Sequence, residues 1–302
     1  MRIGLVAIGR NEGERLRRCL ESVLRQRVDR VVYVDSGSTD DSVALAKGLG
    51  VEVVNLDMSR PFTAARARNE GYARLRELLP DLELVQFVDG DCELDAAWIE
   101  KASAFLAEHP DVAVVCGRRR ERFPEASVYN HLCDIEWNTP VGEASACGGD
   151  SLMRAEAFDQ VSGFAPELIA GEEPDLCFRM RQHGWRIWRL DAEMTLHDAA
   201  MTRFDQWWKR NVRSGHAYAE AFHRHGKTAE RVAARNVVSN VVWSLPVAWP
   251  LWPVLWARVF SRHKDARWAT AVVVGKLPHL QGQLQFWMNS ALRRERRLIE
   301  YK

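Results

Sequence analysis

The sequence lacks the features that mark several common protein classes. Six cysteines are present and none forms a Cys-x-x-Cys pair, which argues against a zinc ribbon or a thioredoxin-type redox motif. Lysine and arginine total 42 and aspartate and glutamate total 41, so the net charge of +1 gives the chain no overall affinity for polyanions. We therefore expect no nucleic-acid partner. Internal repeats and low-complexity segments are also missing from the 302 residues.

The N-terminus has no apolar run long enough for a signal peptide, because the segment 3–8 is followed at once by Gly9 and Arg10. We expect this segment to be a buried first strand. The cysteines are single and scattered, which is typical of proteins kept reduced in the cytosol. We therefore expect the folded chain to reside in the cytoplasm.

The first half of the chain alternates short apolar runs with segments of helical spacing. The runs predict strands over 3–8, 30–34, 51–56, 84–88 and 112–116. The helical spacing predicts helices over 12–26, 40–49, 64–79 and 95–108. Strands that alternate with helices need crossover connections, so we predict an α/β fold with a mixed, mostly parallel sheet flanked by helices. The second half predicts loop–helix units over 147–171 and 172–184, and an aromatic and basic helix over 203–223.

Acidic residues follow two of the predicted strands directly. Asp35 opens a turn rich in glycine and hydroxyl side chains, and Asp89 and Asp91 flank Gly90 after the fourth strand. Ligands of open parallel sheets bind beyond the carboxyl ends of the strands. Asp35 is therefore a candidate for binding a base or ribose. The pair Asp89 and Asp91 is a candidate for holding Mg²⁺ or Mn²⁺ together with phosphate oxygens. For each motif the alternative is an ordinary surface turn.

A third acidic cluster, Glu172, Glu173 and Asp175, begins a predicted helix. Acidic residues in a first helical turn stabilise the helix dipole, which is the structural interpretation. The functional interpretation is a general base directed at an acceptor hydroxyl group.

Two further sites come from glycine and histidine. The paired glycines Gly148 and Gly149 indicate a close approach of the backbone to a ligand. His197 follows the apolar segment 187–196, and it is either a structural histidine or a third metal ligand.

Taken in order, these motifs resemble those of the family 2 glycosyltransferases, which have the GT-A fold. The resemblance covers about residues 1–220. It rests on Arg10-Asn11-Glu12, Asp35-Ser36-Gly37-Ser38-Thr39-Asp40, Ala65-Arg66-Ala67-Arg68-Asn69-Glu70-Gly71, Asp89-Gly90-Asp91, Gly148-Gly149, Gly163-Phe164 and Gly171-Glu172-Glu173-Pro174-Asp175. It implies a GT-A catalytic domain over 1–225, followed by a helical region over 226–302.

The resemblance also implies roles for the donor-site residues. Asp35 would contact the nucleotide base, and Asp89 the ribose or base region. Asp91 would bind the metal ion that bridges the diphosphate. His197 matches a position that is a metal ligand in some members, and Gly149 would lie against the donor.

Glu173 stands where the family often has the aspartate of a Glu-Asp pair, which is the catalytic base of inverting members. The longer side chain leaves Glu172, Glu173 and Asp175 as candidates, and we favour Glu173. Arg66 or Arg68 would contact the nucleotide. The implied reaction moves a sugar from a nucleoside-diphosphate sugar to a hydroxyl group of a glycan or lipid-linked saccharide. It needs Mn²⁺ or Mg²⁺ and inverts the anomeric centre.

The segment 206–210, Gln-Trp-Trp-Lys-Arg, is similar to the Gln-x-x-Arg-Trp signature of processive members. The order of the last residues differs, so we do not infer processivity. An amphipathic helix with packed tryptophans and exposed basic residues is the favoured interpretation. In a functional variant, Arg210 or Arg213 would touch the diphosphate.

Residues 237–257 carry no charge and include four tryptophans and three prolines. This length approaches the ~20 apolar residues that cross a bilayer, but the prolines oppose a straight spanning helix. Tryptophan and flanking arginine suit the membrane interface. We predict an interfacial or re-entrant element at the cytoplasmic face of the inner (plasma) membrane. The alternative is a pair of buried core helices.

Two other functions fit parts of the sequence. A nucleotidyltransferase also joins a parallel sheet to paired carboxylates and a metal ion, but the segment 9–13 is a poor version of its glycine-rich, basic phosphate loop. A membrane protein that binds nucleotide sugars without catalysis is the other alternative. The presence of Asp89, Asp91 and Glu173 argues against it.

Overall fold

The computed structural model describes residues 1–292 and 299, and the rest of the predicted C-terminal region lies outside the described residues. Within that range the strands are β1 Ile3–Gly9, β2 Arg30–Asp35, β3 Glu52–Asn55, β4 Leu84–Asp89, β5 Cys92–Leu94, β6 Val112–Glu121, β7 Gly142–Ala144, β8 Ser151–Arg154 and β9 Arg186–His197. The helices are α1 Glu14–Leu24, α2 Ser42–Gly48, α3 Ala64–Leu78, α4 Trp98–Glu108, α5 Val128–Glu136, α6 Ala155–Gln160, α7 Glu172–Gln182, α8 Phe204–His225, α9 Ala234–Ser244, α10 Trp252–His263, α11 Ala266–Val274 and α12 Lys276–Ala291.

The nine described strands form one mixed sheet in the order β3-β2-β1-β4-β8-β6-β9-β5, with β7 paired to β9. The first four strands in that order are parallel, as are β6 and β9. Strand β8 lies antiparallel between β4 and β6, and β5 and β7 are antiparallel to β9. The predicted mixed, mostly parallel α/β sheet is confirmed.

The apolar runs form the centre of this sheet because helices cover them. In β1 the side chains of residues 3–8 are all buried, which is the pattern of a strand covered on both faces. Helix α1 buries one face at the spacing seen in the sequence, including Leu16, Leu20 and Val23. Helix α3 lies against β1 and β2 at Gly71. A Cβ atom there would lie 2.4 Å from Val6 Cγ1, so only glycine permits this close packing.

Several elements were not predicted, because most of their residues do not form uninterrupted apolar runs and because the segment 187–196 was not assigned to a strand. Strand β6 continues past the predicted end at residue 116 to Glu121, through pairing with β9. That extension is rich in arginine, which ended the apolar run. The predicted loop–helix unit over 147–171 contains β8 and the short helix α6. Strands β5, β7 and β9 and helix α5 were also missed.

The chain divides into two compact units. The sheet unit comprises residues 1–122, 136–168 and 172–199. The helical unit comprises residues 123–135, 169–171 and the described residues from 200 onward. Helix α8 therefore belongs to the helical unit, whereas the sequence interpretation placed it in the catalytic domain. As a division of function, the boundary after residue 225 stays a prediction.

The uncharged segment 237–257 is broken in the middle. Helix α9 ends at Ser244, a 3-10 turn covers Pro246–Leu251, and α10 begins at Trp252. Leu245 is extended, as expected for a residue that precedes proline. Taken singly, the described helices are each too short or too polar to cross a membrane. Ala234–Ser244 and Pro246–His263 together have the required length and composition, but they bend by 94°.

Within the helical unit, α8 and α12 cross with their backbones in contact. A Cβ atom on Gly282 would lie 1.9 Å from the carbonyl oxygen of Val212 and 2.7 Å from the backbone nitrogen of His216. A Cβ atom on Gly215 would lie 2.0 Å from the carbonyl oxygen of His279. Both clashes involve backbone atoms, so an added side chain must push the helices apart.

We therefore expect Gly282→Ala to destabilise the α8–α12 pair by about 1–3 kcal/mol, as overpacking of a close contact does. Faster hydrogen–deuterium exchange in peptides of α8 and α12 is the measurement. Gly48→Ala is the matched control, since a Cβ atom there meets nothing within 4 Å. Unchanged exchange in Gly282→Ala would show that the crossing relaxes without cost.

Candidate active site

The carboxyl ends of β1, β2 and β4 lie side by side. Gly9 is in register with Asp35 on one side, and Ile8 with Asp89 on the other. The two carboxylates predicted from separate turns therefore flank the end of the central strand. This is the edge where ligands of parallel sheets bind.

The carboxylate of Asp35 is built into its own turn. Its Oδ2 atom accepts hydrogen bonds from the backbone nitrogens of Gly37 (3.0 Å) and Ser38 (2.8 Å). Its Oδ1 atom accepts one from the hydroxyl group of Tyr33 at 3.0 Å. Burial, aided by the negative charge of Asp35, raises the pKa of Tyr33, so this hydroxyl stays a donor. The turn is thus rigid, and the role of Asp35 toward a nucleotide stays a prediction.

Asp89 is held by two arginines, the buried Arg68 and the partly buried Arg119. Arg68 Nη2 lies 2.8 Å from Asp89 Oδ1, and Arg119 Nη2 lies 2.9 Å from Asp89 Oδ2. Burial opposes ionisation of Asp89, but the two positive charges outweigh it and lower its pKa. Asp89 is therefore a fixed anion whose oxygens both face arginine nitrogens. This arrangement favours the predicted nucleoside role over direct metal binding.

The two arginines of α3 that the sequence left as alternatives have different contacts. Arg66 donates to the backbone carbonyl oxygens of Asp57, Arg60 and Pro61 at 2.8–3.0 Å, so it orders the loop before α3. Arg68 instead points to the acidic cluster, and its Nη1 lies 3.0 Å from both Glu172 Oε1 and Glu173 Oε1. Arg68 is thus the arginine that lies among the candidate site residues.

Asp91 and His197 meet at the pairing of β5 with β9. His197 Nε2 lies 3.2 Å from Asp91 Oδ2, and His197 Nδ1 is buried without a hydrogen-bond partner. Donor atoms of Asp91, Cys92 and His197 all lie within 4.8 Å of one another. Burial raises the pKa of the Cys92 thiol, which makes it a poor ligand. The carboxylate and imidazole remain, and this donor pair suits Mn²⁺ and leaves positions for phosphate oxygens.

The three acidic residues of α7 are not equivalent. Asp175 pairs with Arg179 one turn along at 2.9 Å, and its side chain is 3% exposed. The side chain of Glu172 is 5% exposed and that of Glu173 is 15% exposed. Burial and the charge of Glu172 raise the pKa of Glu173 to about 7, against the opposing effect of Arg68. Of the three, Glu173 is the carboxylate that is both accessible and poised to exchange a proton near neutral pH.

Gly149 lies directly against the ion pair of Arg68 and Asp89. A Cβ atom on Gly149 would lie 2.5 Å from Arg68 Nη2 and 2.9 Å from Asp89 Oδ2. The close backbone approach that paired glycines predicted therefore exists, but its observed partner is an ion pair within the protein. Contact between Gly149 and a ligand stays a prediction.

Sequence reasoning missed two residues of this site, Asp150 and Arg119. Asp150 accepts hydrogen bonds from the backbone nitrogen of Asp89 (3.0 Å) and from Thr195 Oγ1 (2.8 Å), and its Oδ2 lies 2.9 Å from Arg119 Nε. Arg119 also stacks its guanidinium 5.3 Å from the ring centroid of Trp137. Asp150 follows the flagged glycines and was a visible candidate. Arg119 lies beyond the predicted end of its strand, where no motif marks it.

Arg210 lies on α8 in the helical unit and is half-buried. Its contact with a diphosphate stays a prediction, as does that of Arg213 on the same helix.

Solved structures with a similar fold include glycosyltransferases in complex with nucleotide sugars. Mannosyltransferase PcManGT from Pyrobaculum calidifontis, in complex with GDP-Man and Mn²⁺, aligns with a TM-score of 0.66 and 17% identity over 95% of this chain and 87% of that one. S. aureus TarS 1–349 in complex with UDP-GlcNAc aligns with a TM-score of 0.53 and 15% identity over 97% of this chain and 93% of that one. These likenesses confirm the predicted GT-A fold.

Curated relatives are similar over part of their length. The chain is 24% identical over 204 residues to the O-antigen chain rhamnosyltransferase RfbN of Salmonella typhimurium, covering 62% of this chain and 63% of the relative. It is 28% identical over 171 residues to the succinoglycan biosynthesis protein ExoA of Rhizobium meliloti, covering 54% and 52%. The pre-mycofactocin glycosyltransferase of Mycobacterium tuberculosis is 27% identical over 253 residues, covering 78% and 50%. The chain thus spans about half to under two thirds of these relatives.

The family model that matches the chain covers residues 6–160, which include the end of β1, all of β2 to β4, the turn of Asp35, helix α3, the carboxylates Asp89 and Asp91 and the buried Asp150. The match therefore spans the strand ends that carry Asp35 and Asp89, and it ends before Glu173 and His197. With the ordered motifs and the GT-A sheet, it shows that this chain belongs to glycosyl transferase family 2.

Proposed function

We propose that this chain is a metal-dependent, inverting glycosyltransferase that uses a nucleoside-diphosphate sugar and a hydroxyl group of a glycan or lipid-linked saccharide. The observation that carries the proposal is the arrangement around Arg68. One guanidinium joins Asp89, on the predicted nucleoside side, to Glu173, the predicted base. A similar fold occurs in a mannosyltransferase that binds GDP-Man and Mn²⁺, which supports the donor class and the metal.

The donor side is assigned to carboxylates with different partners. Asp91 and His197 would hold Mn²⁺ or Mg²⁺, because they offer an oxygen and a nitrogen donor within 3.2 Å of each other. A bound divalent cation supplies charge that stabilises the departing nucleoside diphosphate. Asp35 and Asp89 are fixed by neighbouring donors at the ends of β2 and β4, and they are assigned to the base and ribose.

The acceptor side is assigned to Glu173. In its ionised form this carboxylate accepts the proton of the acceptor hydroxyl group, whose oxygen attacks the anomeric carbon from the face opposite the diphosphate. The bond to the diphosphate breaks as the new glycosidic bond forms, so the configuration inverts. Arg68 lies 3.0 Å from Glu173 and would keep its carboxylate oriented.

The metal assignment predicts that Asp91→Ala lowers the transfer rate by about 10²-fold or more. Asp81→Ala, which changes an exposed aspartate paired to Arg2, is the matched control and should keep full activity. The measurement is nucleoside-diphosphate release from a panel of nucleotide sugars, with and without Mn²⁺. Full activity in Asp91→Ala would refute the metal site.

The same assay distinguishes the two alternative functions. Release of pyrophosphate from nucleoside triphosphates would instead support a nucleotidyltransferase. Binding of a nucleotide sugar without release of the nucleoside diphosphate would support a non-catalytic protein.

The base assignment predicts that Glu173→Gln keeps nucleotide binding but loses about 10²–10⁴-fold in turnover. Since the base must be ionised and its pKa is about 7, kcat/KM of the wild type should fall as the pH drops below about 7. Glu172→Gln removes a neighbouring negative charge, so it should move this fall to lower pH while turnover persists. A pH profile that is the same in both glutamine variants would contradict the assignment, as would a product of retained configuration by NMR.

We further propose that the helical unit lies on the cytoplasmic face of the plasma membrane. The 3-10 turn between α9 and α10 and the first turn of α10 expose apolar side chains, with Val247 82%, Val254 65%, Leu251 54% and Trp249 50% exposed. Exposed apolar clusters of this kind mark interaction surfaces. They also argue against the alternative that this segment is a pair of buried core helices. Between residues 258 and 267 four arginines and lysines accompany one acidic residue, which suits anionic lipids.

Vesicle sedimentation tests this location. The wild type should bind phosphatidylglycerol vesicles, and Val247→Asp should weaken binding by about tenfold or more because a charge replaces an apolar contact. Val141→Asp is the matched control, since Val141 is 57% exposed but lies in the sheet unit. Equal loss in both variants, or no vesicle binding by the wild type, would overturn the proposal.

A further inference from the structure

The helical unit contains a cavity that none of the predicted site residues lines. Its volume is about 410 Å³, and it lies between the start of α5, the start of α8 and helix α11. Aliphatic side chains form much of its wall, among them Val128, Leu132, Ala271 and Val274. The cavity thus offers an apolar interior within one compact unit.

One side of the cavity is aromatic. Phe204 and Trp207 lie with ring centroids 5.6 Å apart, and Tyr129 lies 6.5 Å from Trp207. Phe204 is 54% exposed, although it belongs to this aromatic group. Flat rings beside aliphatic side chains form a surface that a hydrocarbon chain covers well. The half-exposed phenyl ring leaves part of this aromatic surface accessible to a ligand.

The rim of the cavity is polar and basic. Arg267 and Thr270 also line it, and the Arg267 side chain is 51% exposed. The carboxylate of Asp265 accepts a hydrogen bond from the Trp268 backbone nitrogen at 2.8 Å and lies 2.7 Å from His131 Nε2. Its contact with Arg267 is the longest of the three, at 3.6 Å. The positive charge of Arg267 is therefore only partly neutralised where the apolar wall ends.

We propose that this cavity binds the hydrocarbon chain of the lipid phosphate that carries the acceptor saccharide, with Arg267 at the phosphate. The proposal deepens the acceptor class and rests on the proposed glycosyl transfer. An apolar interior with one cation at its rim matches a ligand that is a long hydrocarbon with an anionic head. Cavities of about 300–1,000 Å³ hold one small ligand, so a single chain fits better than a two-chain phospholipid.

Calorimetric binding of farnesyl phosphate to the full chain tests the site, with farnesol, inorganic phosphate and dihexanoyl phosphatidylglycerol as comparisons. We expect farnesyl phosphate to bind most tightly and inorganic phosphate least. Ala271→Trp fills the cavity and should weaken farnesyl phosphate binding by about tenfold or more. Arg267→Gln should weaken farnesyl phosphate but leave farnesol unchanged. Ala257→Trp on α10 and Arg235→Gln on α9, both outside the lining, are the matched controls and should bind normally.

Hydrolysis of a nucleotide sugar separates this site from the reaction itself. Ala271→Trp should keep wild-type hydrolysis while losing farnesyl phosphate, whereas failure of the proposed function would remove hydrolysis from the wild type. If Ala271→Trp does not fold, a photoreactive farnesyl phosphate replaces it, and labelled peptides from α5, α8 and α11 are expected in the wild type. Labelling elsewhere, equal binding of the phosphatidylglycerol, or unchanged affinity in Ala271→Trp would overturn the proposal.

Discussion

The candidate site depends on one buried cation. The Arg68 side chain is 2% exposed and contacts Asp89, Glu172 and Glu173. A buried charge is costly unless it is paired, and three carboxylates this close would repel one another without a cation between them. The same guanidinium thus fixes the spacing between Asp89, on the predicted nucleoside side, and Glu173, the predicted base. It also explains why Asp89 and Glu173 differ in pKa. Asp89 contacts a second arginine, Arg119, which it shares with Asp150, whereas Glu173 shares Arg68 with Glu172 and Asp89.

The position of Arg68 follows from the helix that carries it. On α3, Gly71 lets the helix lie against β1 and β2, and Arg66 binds the carbonyl oxygens of the preceding loop. Asn69 both donates to and accepts from the backbone of Phe164, at 2.8 and 3.0 Å. Within seven residues, two side chains and one missing side chain therefore hold α3 in place. Arg68, the other arginine of this segment, faces the acidic cluster. These contacts give a physical reason for the motif in segment 65–71.

Much of the sheet was predictable because buried strands need apolar runs, as β1 and β4 show. The pairing of β6 with β9 was not, since it joins residues about 75 positions apart through arginine-rich segments. Arg119 and Asp150 were missed for the same reason, because their contacts arise only when β4, β6, β8 and β9 assemble. The choice between Arg66 and Arg68 also required the structure. Residues two apart on a helix point in different directions, but sequence alone does not say which faces inward.

In the helical unit, the residues that stabilise the packing are different from the apolar residues that are exposed. The crossing of α8 and α12 is close enough that Gly215 and Gly282 admit no side chain, so backbone contact supplies much of its packing. Pro246 begins the 3-10 turn that follows helix α9, and most of the apolar segment after it is exposed to solvent. Val247 and Val254 contribute little to the interior, since both are mostly exposed. Folding alone does not account for apolar residues at such positions, because polar side chains there would keep the same internal contacts. The exposure of both residues beside a basic segment, one in the 3-10 turn and one on α10, is the observation that supports the proposed contact with an anionic membrane surface.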